Sequence, residues 1–174
     1  MIEEINPNST NLTDDPDIAA KINDVTNQIM FELARIKKIA KYVEKAVSQG
    51  DTLTFEDIES VCGYEVFQIG LVAGVNHTFK ANGTMVKFLE SGTAEIDCYV
   101  YPERITASTK DSYEFELSPD ALEIMPYGIA ADLLKSDISS EYGNIYYSRY
   151  ETMLSRLDPR YHMTSVYIDG GVDV

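Results

Sequence analysis

Residues 99–157 read YVYPERITASTKDSYEFELSPDALEIMPYGIAADLLKSDISSEYGNIYYSRYETMLSRL. The segment opens on the end of a strand. Ala94, Ile96, Cys98 and Val100 alternate with Glu95, Asp97, Tyr99 and Tyr101, the period of a sheet with one buried face. Pro102 lacks a ladder donor and stops the strand. Residues 103–117 make a connector, in which Tyr113–Leu117 is expected to pair briefly as a strand. Ser118-Pro119-Asp120 then starts a helix, a capping residue followed by proline at the first helical position. This helix is expected to turn Leu122, Met125, Ile129, Leu133 and Leu134 to the core and to kink at Pro126. Gly128 and Ala130-Ala131 leave little bulk on it, which allows a neighbour to approach closely. After a turn at Ser136–Ser140, a last helix runs to Leu157. It is apolar at Tyr142, Ile145, Tyr146, Tyr150, Met153, Leu154 and Leu157, and Asp158-Pro159 ends it.

Working outward, Asp15-Pro16 is a second start of the same kind. Ile18, Ile22, Val25, Ile29, Leu33, Ile36, Ala40, Val43 and Val47 follow at gaps of three and four. That spacing predicts one helix of roughly eight turns, ending at Gly50. The basic run Arg35, Lys37, Lys38, Lys41 and Lys45 then lies near its C-terminal end, where the dipole favours cations. It reads as a solvated helix face. Thr54-Phe55-Glu56-Asp57 has the pattern of a capping box for a short helix that Gly63 stops. Tyr64–Val72 reads as a strand. His77–Ala81, Asn82-Gly83 and Thr84–Leu89 read as a hairpin with a type I′ turn.

The fold class is therefore α+β. A helical bundle, the long N-terminal helix plus two C-terminal helices, carries a small antiparallel β-meander inserted between them. Residues 1–15 read as a flexible arm, 16–158 as one domain and 159–174 as an extended tail. Within the domain, 16–49 is the helix, 64–117 the β insertion and 118–157 the helical pair.

Fourteen Lys and Arg against 29 Asp and Glu give a net charge of −15 over 174 residues. Such a chain is not expected to bind nucleic acid by neutralising phosphates, which needs a basic stripe. Cys62 and Cys98 have no metal-ligand or CxxC spacing and sit among apolar residues, as small hydrophobes do. The polar, acidic N-terminus does not resemble a signal peptide, and no apolar run approaches the length of a membrane span. A reducing cytoplasm is the expected compartment.

Few residues suggest chemistry. His77 and His162 share no ligand spacing. Phosphate-binding, nucleophile-elbow and zinc-protease motifs are missing from the sequence. Asp24, Glu32, Asp132 and Glu151 would meet across helices as a carboxylate site only with an inward Glu-x-x-His pair, which the chain lacks. No enzyme activity, catalytic residue, cofactor or metal is expected. Tyrosines 142, 146, 147 and 150 are the more informative cluster, because Tyr joins apolar area to a polar tip at interfaces.

The order of these parts resembles the head–tail connector (adaptor) proteins of tailed bacteriophages. The likeness rests on Tyr99–Thr106, the acidic Asp111–Leu117, Met125–Leu134, Asp137 and Tyr150–Leu157, and extends over roughly residues 16–158. It implies a structural virion protein in the neck, a ring, usually of twelve copies, beneath the portal. That ring would extend the channel for double-stranded DNA and seat the stopper or tail. It also implies subunit contacts through Tyr142, Tyr146, Tyr147, Tyr150, Met125, Ile129 and Leu133. Portal contacts would come from the tail, at Arg160, Tyr161, Val166, Tyr167 and Ile168. Two alternatives stand beside it: a neck stopper or tail-completion protein, expected to be mostly β, and an acidic DNA-mimic inhibitor of a host nucleic-acid-binding protein.

Overall fold

A computed structural model describes residues 16–110, 112–134 and 141–157. It has the mixed α+β composition expected, with helices flanking antiparallel sheet. The N-terminal helix α1 (Pro16–Lys37) is shorter than its apolar spacing predicts. Lys38 takes a left-handed backbone, φ 52°, and its N–H donates to the Ala34 carbonyl at 2.8 Å, the hydrogen bond of a left-handed helix end. Residues assigned above to the same helix instead form strand β1 (Ile39–Val47). The reason lies in the spacing. A separation of four keeps two residues on one face of a helix and also on one face of a strand. Val43 and Val47 therefore satisfy both periods. Ala40, Tyr42, Glu44 and Ala46, on the alternate positions, are exposed and satisfy only the strand.

After β2 (Thr52–Thr54) comes α2 (Phe55–Cys62). Its capping box is complete: Thr54 accepts from the Asp57 N–H while Asp57 accepts from the Thr54 N–H. Gly63 closes it at φ 78°, a conformation in which a Cβ is strained. Strands β3 (Val66–Ala73), β4 (His77–Lys80), β5 (Met85–Phe88) and β6 (Gly92–Val100) follow. Asn82 and Gly83 both have positive φ, as the expected hairpin turn requires.

The meander is split. One three-stranded sheet has the order β1-β6-β3, the other β2-β5-β4. The first is anchored by an unbroken antiparallel register from Ile39↔Val100 to Val47↔Gly92. The inner faces of both sheets meet in one core with Leu53, Ile58, Val86, Phe88, Ile96 and Val100. Full burial of each such side chain contributes about 1.5–3 kcal/mol. The connector forms no strand at Tyr113–Leu117. Phe115 and Leu117 pack on the helices instead.

Helices α3 (Pro119–Leu134) and α4 (Glu141–Leu157) run antiparallel. Gly128 lies against Tyr150, and Gly143 against Leu134, so advance along one helix is retreat along the other. With α1 they enclose a second core of Ile29, Met30, Leu33, Ala121, Ile124, Tyr150, Leu154 and Leu157. Aromatic rings join the two cores: Phe31 of α1 meets Tyr101 at 4.7 Å, and Tyr101 meets Phe67 of β3 at 4.8 Å. Asn27, nearly buried, locks the connector to α1 by exchanging two 2.8 Å hydrogen bonds with the Ile105 backbone. Among the described residues no helix is long and apolar enough to cross a membrane.

Candidate interaction surface on the helical pair

The face that α3 buries differs from the one its sequence predicts. Ala121, Ile124, Met125, Gly128, Ala131 and Leu134 are the buried positions. Leu122, Ile129 and Leu133 are only half-buried. Leu122, Pro126 and Ile129 line the open side instead, and Pro126 has no N–H to return to the Leu122 carbonyl there. α3 nevertheless continues as one helix through Pro126.

Along that open side runs a cleft of about 430 Å³. Leu122, Met125, Ile129 and Leu133 form its floor, Ile22 of α1 and Phe115 of the connector one wall, and Tyr146 of α4 the other. Its surface is almost wholly apolar. Such a cleft keeps apolar area in water that a partner would remove, at about 25 cal/mol per Å².

The cleft continues onto α4 through aromatic contacts. The Tyr146 ring lies 6.4 Å from Tyr127, and the Arg149 guanidinium sits 4.5 Å over the Tyr127 ring. Beyond them Tyr142 and Tyr147 are about half exposed, at 45% and 51%, and Ile145 is 61% exposed.

Of the predicted contact residues, Met125, Ile129, Leu133 and Tyr146 are thus brought together at the cleft, with Tyr142 and Tyr147 on the adjoining helix surface. Tyr150 is a correction. It is 4% exposed, and its ring fills the space beside Gly128. Its hydroxyl donates to Glu32 of α1 at 2.8 Å, so it belongs to this chain's own core. Met125, also 4% exposed, offers the cleft only an edge. Ile145, one of the apolar residues at helical spacing, faces outward. Phe115 and Ile22 also line the cleft: the sequence marks Ile22 as apolar on its helix and Phe115 as part of a brief strand, and only tertiary structure brings the two to the cleft. Arg160, Tyr161, Val166, Tyr167 and Ile168 lie outside the described residues.

Burial, reinforced by the Glu32 carboxylate, raises the Tyr150 pKa well above its ordinary value. Glu32, Asp132 and Glu151 all bear on that hydroxyl. Among the described residues no group of three or more His, Cys, Asp and Glu is arranged to hold a metal ion. The His77 ring nitrogen Nδ1 lies 3.0 Å from the Val75 carbonyl, and its ring meets Phe79 edge-on.

The basic run does not form one helix face. Arg35 binds the Tyr101 hydroxyl and lies over its ring. Lys37 pairs with Asp120, Lys38 covers Tyr99 and Lys41 covers Tyr64. These cations fasten the helix–strand corner to β6 and the residue after it, to α3 and to the link between α2 and β3.

No protein-family model matches the chain, and no curated protein matches its sequence.

Proposed function

We propose that this chain is a structural subunit of a tailed-phage neck: a head–tail adaptor that assembles as a ring beneath the portal, extends the DNA channel and seats the stopper or tail. The observation that carries the reading is the apolar cleft between α1, α3 and α4, lined on α4 by Tyr146, with the exposed Tyr142 one turn before it. It gives the chain a helical surface suited to burial against another protein. The resemblance at Tyr99–Thr106, Asp111–Leu117, Met125–Leu134, Asp137 and Tyr150–Leu157 narrows that protein to a neighbour in a portal-bound ring. The four described helices favour the adaptor over a mostly β stopper. The net charge of −15 suits a wall that encloses DNA without holding it, because carboxylates facing a channel repel phosphates.

Electron microscopy of the purified chain mixed with the portal of the same phage tests this. A ring stacked on the portal is the expected result. Ile129→Asp with Leu122→Asp places charge on the half-exposed floor of the cleft and is expected to abolish the ring while the monomer stays folded. A chain that ignores the portal overturns the reading.

A further inference from the structure

The outward face of α4 differs from the acidic surface around it. Ile145, Arg149, Met153 and Arg156 recur at spacings of three and four, so they share one face, beside the buried stripe of Tyr150, Leu154 and Leu157, with Met153 at the margin packing partly on the helical core. With Ser148 and Thr152 they line a shallow groove of about 640 Å³ that contains no carboxylate. Among the described residues, neither Arg149 nor Arg156 has a carboxylate within ion-pair distance.

A surface of matching chemistry lies on the same chain. On the outer face of β1 and β6 the register sets Tyr42 opposite Asp97 and Glu44 opposite Glu95. Like charges directly opposite on neighbouring strands destabilise the pairing. No cation among the described residues forms an ion pair with these three carboxylates. Tyr42 stands 55% exposed in their midst, its hydroxyl 2.9 Å from Glu44, and Leu71 of β3 is 64% exposed. The dimensions agree as well. Arg149 and Arg156 are about 10 Å apart along the helix. The carboxylates occupy about 7 Å of strand by 5 Å across the pair.

We propose that the α4 groove of one copy docks on the β1–β6 face of a second copy, Arg149 and Arg156 against Glu44, Glu95 and Asp97, with Ile145 and Met153 against Tyr42. Two copies of net charge −15 repel unless their few unpaired cations are set against carboxylates. The two surfaces differ, so the contact is head-to-tail and gives a ring if the rotation closes or a filament if it does not. The inference deepens the ring-subunit reading by adding a charged contact separate from the α1–α3–α4 cleft, and rests on that reading only for closure.

Sedimentation velocity of the full chain over a concentration series, at physiological ionic strength, tests the contact. Two paired variants reverse one side each: Glu95→Lys with Asp97→Lys, and Arg149→Glu with Arg156→Glu. Each is expected to weaken self-association about tenfold or more. The variant carrying all four changes should regain it. An equimolar mixture of the two paired variants should also associate beyond two copies, in alternation, because the native contact and its charge-reversed counterpart both form between unlike variants. The sheet variant should melt no lower than the wild type, since Glu44 then faces a lysine, which separates lost association from lost fold. A wild type that stays a single copy up to about 1 mM, a paired variant that associates like the wild type, or a fourfold variant that fails to recover each overturns the contact. Self-association by this route without portal binding leaves the contact standing and overturns the neck reading. Portal rings indifferent to both charge reversals overturn the contact alone.

Discussion

The Tyr150 hydroxyl donates a 2.8 Å hydrogen bond to the Glu32 carboxylate, tying α4 to α1 across a separation of 118 residues. The tyrosine is buried, and its acceptor is charged. Tyr150→Phe is expected to cost about 1.5–3 kcal/mol, the range for a hydrogen bond to an ionised group. Burial, then Glu32, raises the folded-state pKa. Above the ordinary tyrosine pKa of about 10 the unfolded chain loses this proton while the folded chain keeps it. The contribution is therefore complete below that pH and declines as pH rises through and beyond it. Chemical denaturation from pH 8 upward should show a steeper alkaline loss in the wild type than in Tyr150→Phe. Parallel curves would show that another group sets the alkaline limb.

Gly128 is where the Tyr150 ring is admitted. A Cβ there would stand 2.7 Å from a Tyr150 ring carbon and 3.0 Å from Ile29 Cγ2. Overpacking of this kind costs about 1–3 kcal/mol, against a gain of about 1 kcal/mol when alanine replaces glycine in a helix. Gly128→Ala is expected to be mildly destabilising and Gly128→Val strongly so. Thermal melts of both variants check the order. A Gly128→Ala variant more stable than the wild type would mean that α3 and α4 shift apart without penalty.

The Thr54–Asp57 box fixes the start of α2 and, through Ile58, its seat on the sheet core. Thr54→Ala should cost about 1 kcal/mol. The Thr54 N–H, then its hydroxyl, hold the Asp57 pKa below its ordinary value. Its contribution is present above the unfolded-state pKa near 4 and is lost as pH falls through the lower folded-state value. Between pH 5 and 2, Asp57→Ala should lose less stability than the wild type, as followed by the far-ultraviolet signal in urea.

The sequence disclosed the parts whose signals are local. The Thr54 box, the Asn82-Gly83 turn, the alternation ending at Val100 and the Pro119 helix start each depend on neighbours in the chain, and each stands where it was expected. What stayed hidden depends on partners far away. Ile39–Val47 is a strand because β6 offers it nine paired positions, and nothing within its own apolar spacing separates that outcome from a helix. The turn that decides it, Lys38 at φ 52°, has no glycine or asparagine to announce it. The candidate surface was half legible for a similar reason. Apolar periodicity marked Ile129, Leu133 and Tyr146 as residues to be buried. Only the position of α1 shows that they border a cleft and that Tyr150 does not.

Cys62 and Cys98 share the sheet core, the first at its edge and the second fully buried. Burial, with Cys62 adding to it, pushes the Cys98 thiol up to about 11. At pH 8 Cys98 is therefore protonated as well as shielded, and the thiolate is the reactive form. Titration of the native chain with a disulfide reagent at pH 8 should label Cys62 first and leave Cys98 unlabelled until urea opens the core. Cys62→Ser should abolish the early phase, and Cys98→Ser should leave it intact. Equal rates for the two thiols would mean that the β1–β6–β3 sheet opens far more readily than its packed inner face implies.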